Sequence, residues 1–165
     1  MILADTNILL RCTDTKDPDY PLVWRAISDA RQFGAWFGVE FDGPFVAGQH
    51  LRGRMVPTQV DPAVAKVQEP YRGMPFDWTV ERIEPEQTIA FRWHPFAIDP
   101  EVDYASEPTT LVVFSLEEAE GGTRLTITET GFDNIPLARR VAAFTANSGG
   151  WELQVGMIAK YLDAA

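Results

Sequence analysis

Glu129 is the residue of this chain whose type and spacing come nearest to chemistry. Along Leu125-Thr126-Ile127-Thr128-Glu129-Thr130 the side chains alternate, so Leu125 and Ile127 face a core and Glu129 points the same way one step further on. An inward carboxylate needs a partner or water, because burying it alone is costly. In an apolar pocket it would be the candidate general acid or base, and it is the one catalytic candidate in the chain. The competing expectation leaves Glu129 in solvent at a frayed strand end, or pairs it with Arg139 or Arg140.

Other reactive residues form no recognisable constellation. The sequence has no G-x-S-x-G elbow, no G-x-x-x-x-G-K-[ST] loop and no Rossmann glycine fingerprint, so no catalytic machinery or cofactor is expected. Cys12, His50 and His94 lack metal-ligand spacing. Asp99, Glu101 and Asp103 resemble a calcium loop only in part: the glycine at the sixth position and the glutamate at the twelfth are missing. They read as a solvated acidic loop, and no metal site is expected.

Composition narrows the partners. The formal net charge of −10 would repel a phosphate backbone, and no Lys/Arg stripe with interleaved aromatics offsets it, so nucleic acid is not an expected partner. No stretch approaches the roughly 18 apolar residues of a membrane span. A single cysteine rules out an internal disulfide, and the first residues lack the pattern of a signal peptide, so a cytoplasmic location is expected. At 165 residues the chain reads as one domain, residues 1–165. It carries 10 Phe, 5 Trp and 4 Tyr, enough rings for a large core or for the walls of an apolar pocket.

The elements that must position these residues follow from periodicity. Asn7 to Cys12 is a short apolar run read as a first strand, ending in the polar segment Thr13 to Asp19. Pro18 or Pro21 opens a helix carrying Val23, Ala26, Ile27 and Ala30, and a second short helix is expected around Ala35-Trp36-Phe37, bracketed by Gly34 and Gly38. Period-two alternation marks strands at Phe45 to Val56, through Phe76, Trp78 and Val80, and through Ile89, Phe91 and Trp93. Leu111 to Leu116 is an apolar strand, and Gly121-Gly122 turns it back into the Glu129 strand. Short turns between these strands imply antiparallel pairing. Two proline-rich connections, Pro57 to Pro75 and Pro95 to Pro108, are long enough to be binding loops or plain insertions, and Asp61-Pro62 opens a short helix through Gln68 within the first.

The last segment is helical from Ile135-Pro136-Leu137, with a break or kink expected near Gly149-Gly150. Beyond it Trp151, Val155, Ile158 and Leu162 recur on one helical stripe that must bury against the sheet. Leu153 and Met157 lie off that stripe, where they either meet a second copy of the chain or a chaperone partner or simply pack beneath a loop. The fold class is therefore α+β: a curved antiparallel sheet with a long C-terminal helix across it and two short helices after the first strand. Inward parity gathers Trp78, Phe91 and Trp93 from strands and Trp36 and Phe37 from the second short helix, facing Trp151, Val155 and Ile158 on the last helix. With Glu129 these residues are the candidate ligand cavity, unless the rings close it.

Several of these stretches carry a resemblance. Leu22-Val23-Trp24-Arg25-Ala26-Ile27-Ser28-Asp29 followed by Phe33-x-x-Trp36-Phe37 looks like the first helices of the SRPBCC (START-like) superfamily, and more narrowly of homologues of the activator of the heat-shock-protein-90 ATPase. Val80-Glu81-Arg82-Ile83-Glu84-Pro85 with Phe91-Arg92-Trp93, Gly121 to Phe132, and Gly150-Trp151-Glu152 agree in order and spacing, so the likeness runs from about Asn7 to Leu162. It implies a helix-grip fold, a sheet gripping a long C-terminal helix with a cavity between them. Members bind lipids, polyketides, hormones and other apolar molecules, and a minority are enzymes of the cyclase type; no universal catalytic residue carries over. By the resemblance, chaperone activation resides chiefly in eukaryotic relatives with an additional N-terminal domain; 165 residues are expected to leave no room for it, so chaperone activation is not the expected function. The expected partner is a small apolar molecule. The Pro57 to Pro75 connection is longer than in the shortest members.

Overall fold

Among the described residues, seven strands form one antiparallel sheet. The computed structural model describes residues 6–11 and 19–165, with side chains from residue 20 onward. Cys12, the segment 13–18 and Pro18 as a helix opener lie outside the described residues. β1 (Thr6–Arg11) pairs with β7 (Gly122–Thr130), and β2 (Val39–Phe41), β3 (His50–Met55), β4 (Pro75–Glu84), β5 (Thr88–Trp93) and β6 (Thr110–Ala119) run as a meander toward β7. Helices α1 (Asp19–Ser28) and α2 (Ala30–Phe37) carry the chain from one sheet edge to the other, α3 (Pro62–Gln68) sits in the long connection, and α4 (Leu137–Asp163) closes the chain. This is the helix-grip arrangement, with α1, α2 and α4 packed against one another.

Strand parity places the core. Leu125, Ile127 and Glu129 of β7 are buried, as are Val112, Phe114 and Leu116 opposite them on β6. In β4 the apolar positions fall at Phe76, Trp78 and Val80 and then, out of step, at Ile83. A β-bulge between Val80 and Arg82 absorbs the extra residue, so that Ile83 pairs with Ile89 while Val80 pairs with Phe91. The outer face carries ion pairs such as Arg92–Glu81 and Arg54–Glu40, exposed and of little energetic weight.

Three boundaries differ from those read in the sequence. The break between α1 and α2 falls at Asp29, whose side chain accepts from the backbone N–H groups of Arg31 and Gln32 as an N-cap, so Gly34 lies inside α2. Gly34 is needed there for space, because a Cβ would stand 2.1 Å from the Val39 carbonyl oxygen. Phe45 to Gln49 is not strand, and the three-residue β2 was too short to show a period. Finally, α4 is continuous through Gly149-Gly150. Each mid-helix glycine costs about 1 kcal/mol relative to alanine, a penalty that tertiary anchoring on both sides of the pair outweighs.

The connection after β3 holds the C-terminal end of α2. Thr58 Oγ1 donates to the Trp36 carbonyl at 2.9 Å, and Gln68 Nε2 donates to the Phe37 carbonyl at 3.3 Å while its Oε1 accepts from the Thr58 N–H. Asp61 caps α3 as its sequence suggests and also bonds Lys160 on α4. A stretch that reads as a loose insertion is thus a clamp between α2 and α4. Among the described residues no helix is long and apolar enough to cross a membrane.

Candidate functional site

Glu129 is fully buried, and neither arginine is its partner. Its carboxylate lies in a cage of four neutral donors. Oε1 accepts from Trp93 Nε1 at 2.8 Å, Thr110 Oγ1 at 2.6 Å and Asn147 Nδ2 at 3.0 Å; Oε2 accepts from Asn147 Nδ2 at 3.0 Å and Trp151 Nε1 at 2.7 Å. An indole N–H can only donate, so both oxygens serve as acceptors. Register explains the strand half of the cage. Glu129 pairs with Val112 and Trp93 with Thr110, which puts Trp93, Thr110 and Glu129 side by side on the inner face. Asn147 and Trp151 supply the other half from positions four apart on one face of α4.

The two arginines work elsewhere. Arg139 Nε donates to Glu107 at 2.7 Å and its Nη1 to the Pro95 carbonyl at 2.7 Å, with the guanidinium 4.8 Å from the centre of the Tyr104 ring. It therefore ties the acidic connection between β5 and β6 to the start of α4. Arg140 donates to the carbonyls of Ile135 and Asp133 in the turn before the helix. His50 is exposed near Thr79 and Asp77, and His94 bonds the Glu107 carbonyl. Among the described residues no three His, Cys, Asp or Glu side chains gather as metal ligands.

Above the cage the rings nearly close the interior. Trp93 and Trp151 stand 5.7 Å apart between centroids, Phe37 and Trp151 6.0 Å, and Phe37 and Trp93 6.3 Å. They leave a gap of about 80 Å³ lined by Phe37, Trp93, Asn147, Gly150, Trp151 and Gln154. Of the residues expected to wall a cavity, Phe37, Trp93 and Trp151 border this gap. The others do not line it: Trp78 stacks on Phe91 at 3.9 Å, Trp36 donates to the Ala26 carbonyl at 2.9 Å, Ile158 is buried in the core and Val155 packs at its margin. Glu129 lies one layer behind, covered by the groups that bond it. Asn147 was missed because a break was expected at Gly149-Gly150, and extending the stripe back across it from Trp151 would have found it; Gln154 borders the stripe in the sequence, and Gly150 has no side chain to signal a role. Of the two residues off the stripe, Met157 is buried at 3% exposure, whereas Leu153 is exposed.

A second, wider depression of about 710 Å³ runs along the outer side of α2 and β2, between Asp29, Arg31, Glu40, Asp42 and Gln59. It is larger than the gap above Glu129, and none of its lining residues carries a buried polar atom without a partner.

Residues 20–163 match the family described as activator of Hsp90 ATPase homolog 1-like protein. The chain belongs to that family. Its solved structural relatives share the fold at low identity. A protein from Arthrobacter aurescens is similar with a TM-score of 0.67 at 19% identity, covering 99% of this chain and 88% of its own. Protein MLL2253 from Mesorhizobium loti has a TM-score of 0.64 at 18% identity, covering 98% of each chain. Protein BPP1335 from Bordetella parapertussis has a TM-score of 0.63 at 22% identity, covering 96% of this chain and 73% of its own. At these identities the likeness is one of fold. No curated protein matches the sequence. The expected SRPBCC-type fold is thus the one observed, over almost the whole chain.

Proposed function

We propose that this member of the family binds a small apolar molecule between the C-terminal end of α2, the end of β5 and the middle of α4. The observation that carries this reading is the ring-lined gap itself. Phe37, Trp93 and Trp151 converge there from three different elements, and two of the three are held by one buried carboxylate.

Size sets a condition. A cavity of about 150 Å³ accepts benzene, and drug-sized ligands need several hundred, so the 80 Å³ gap must widen to admit a molecule larger than a few waters. The place to widen is α4. A Cβ added at Gly149, Gly150 or Gly156 would meet nothing within 4 Å, so packing does not demand these glycines, and they weaken the helix beside the gap. Glu129 in this reading is a positioning residue: it orients two wall indoles and Asn147 and touches no ligand. The acid–base alternative has less support, because each Glu129 oxygen already accepts from at least two donors and neither borders the gap.

Titration of ¹⁵N-labelled protein with propylbenzene tests the proposal. The indole N–H signals of Trp93 and Trp151 should shift with a saturable dependence while that of Trp36, bonded inside α1, stays in place. Saturating propylbenzene that leaves both wall indoles unmoved would overturn it.

A further inference from the structure

We infer that the preferred ligand of this gap is an uncharged molecule carrying a hydroxyl or similar hydrogen-bond donor, and that carboxylate-headed molecules such as fatty acids are rejected. The inference rests on the binding reading above and specifies the ligand's polar end.

Its basis is an inventory of the polar atoms on the wall. Trp93 Nε1 and Trp151 Nε1 each have one hydrogen, and each gives it to Glu129. Asn147 Nδ2 stands 3.0 Å from both Glu129 oxygens. Gln154 Nε2 donates to the Phe37 carbonyl at 3.0 Å. Each side-chain nitrogen on the wall therefore has a partner within the protein, while the Gln154 amide keeps a second hydrogen. The exception among the polar atoms is an acceptor: Gln154 Oε1 is buried, and no group among the described residues donates to it. The amide orientations follow from their partners. Turning Gln154 over would set its oxygen against the Phe37 carbonyl, and turning Asn147 over would set an oxygen against the Glu129 carboxylate.

A buried acceptor without a donor is costly, and a ligand that supplies the donor recovers that cost. A hydroxyl does so. A carboxylate has no hydrogen to give the Gln154 oxygen, and it approaches a second carboxylate one layer down in a chain of net charge −10. Selection by an unpaired polar group is stronger than selection by apolar fit, because the mismatched ligand leaves that group unsatisfied.

Three probes of one shape separate the possibilities: 4-propylphenol, propylbenzene and 4-propylbenzoate, followed through the Trp93 and Trp151 indole signals and by calorimetry. The phenol should bind about 3–10-fold more tightly than propylbenzene, the effect of one hydrogen bond, and the benzoate more weakly than either. In Gln154→Met, with its fold checked by thermal melting, the phenol's advantage over propylbenzene should vanish while propylbenzene still binds. Benzoate binding as tightly as the phenol, or a phenol advantage that survives Gln154→Met, would overturn the inference and leave apolar binding standing. If none of the three binds, the binding reading itself falls and this inference with it.

Discussion

Trp151 donates its indole N–H to Glu129 at 2.7 Å and so fastens the middle of α4 to the inner face of β7. The bond joins the last helix to the last strand at a position buried on both sides. It is one of several converging on the same carboxylate, which makes Glu129 the point where sheet and helix are registered.

Loss of that carboxylate should be felt by the whole fold. Glu129→Gln places an amide nitrogen among donors, and Glu129→Leu leaves Trp93, Trp151, Asn147 and Thr110 without their acceptor. Urea denaturation should show Glu129→Gln less stable by about 2–4 kcal/mol and Glu129→Leu by at least as much. A loss below about 0.5 kcal/mol in both would contradict the anchoring role. Trp151→Phe, which removes one donor and keeps most of the ring, should cost about 1–2 kcal/mol.

Glycine substitutions should split by position. Gly34→Ala drives a Cβ into the Val39 carbonyl, so the protein should melt many degrees lower or fail to accumulate folded. Gly149→Ala and Gly150→Ala meet open space and should each stabilise α4 by up to about 1 kcal/mol, read as a rise in melting temperature. If α4 must yield for ligands to enter, the double variant should also slow association in stopped-flow fluorescence.

Arg139 offers a separate handle on the acidic connection. Its side chain is 18% exposed and Glu107's 14%, so this pair is shielded far more than the outer-face pairs. Arg139→Met removes three contacts to residues 95–107 and should cost about 1.5–3 kcal/mol. Limited proteolysis should then cut within that connection at protease levels that leave the parent protein whole. Equal resistance of the two proteins would show that the connection is held by other contacts.

The Asp61–Lys160 contact predicts a pH effect. The hydrogen bond from Lys160, assisted by the backbone N–H of Val64, holds the Asp61 carboxyl below the ordinary carboxylate value. A carboxyl lowered in the folded state contributes stability that is fully present above its unfolded-state value and is lost as pH falls through the folded value. Asp61→Asn keeps an N-cap side chain and removes the titration, so the stability difference between parent and variant should shrink in acid. A difference that stays constant from neutral pH down to pH 3 would refute the coupling.

Much of this organisation was legible along the chain because periodicity is local. Alternation at Leu125, Ile127 and Glu129 placed the acid on the inner face, and the Asp61-Pro62 pair marked the start of α3. Less legible were features in which distant contacts outvote local preference. Gly149-Gly150 reads as a break, yet α4 runs through it because Asn147 before the pair and Trp151 after it are both tied to Glu129. Gly34 reads as a helix boundary, yet it sits inside α2 because the Val39 backbone passes too close for a side chain.

By itself, then, the sequence determined which faces of which elements are apolar, that the sheet is antiparallel with a long helix across it, and that a carboxylate points inward near the end of β7. Only the tertiary structure decided what that carboxylate meets. Arginines stood nearby in sequence, but strand register and helix phase brought two indoles, a threonine and an asparagine to Glu129 and sent Arg139 to Glu107. It also decided the size of the space beneath Trp151, because a cavity is a small difference between the volume the elements enclose and the volume their side chains fill, and neither is a property of any local stretch of chain.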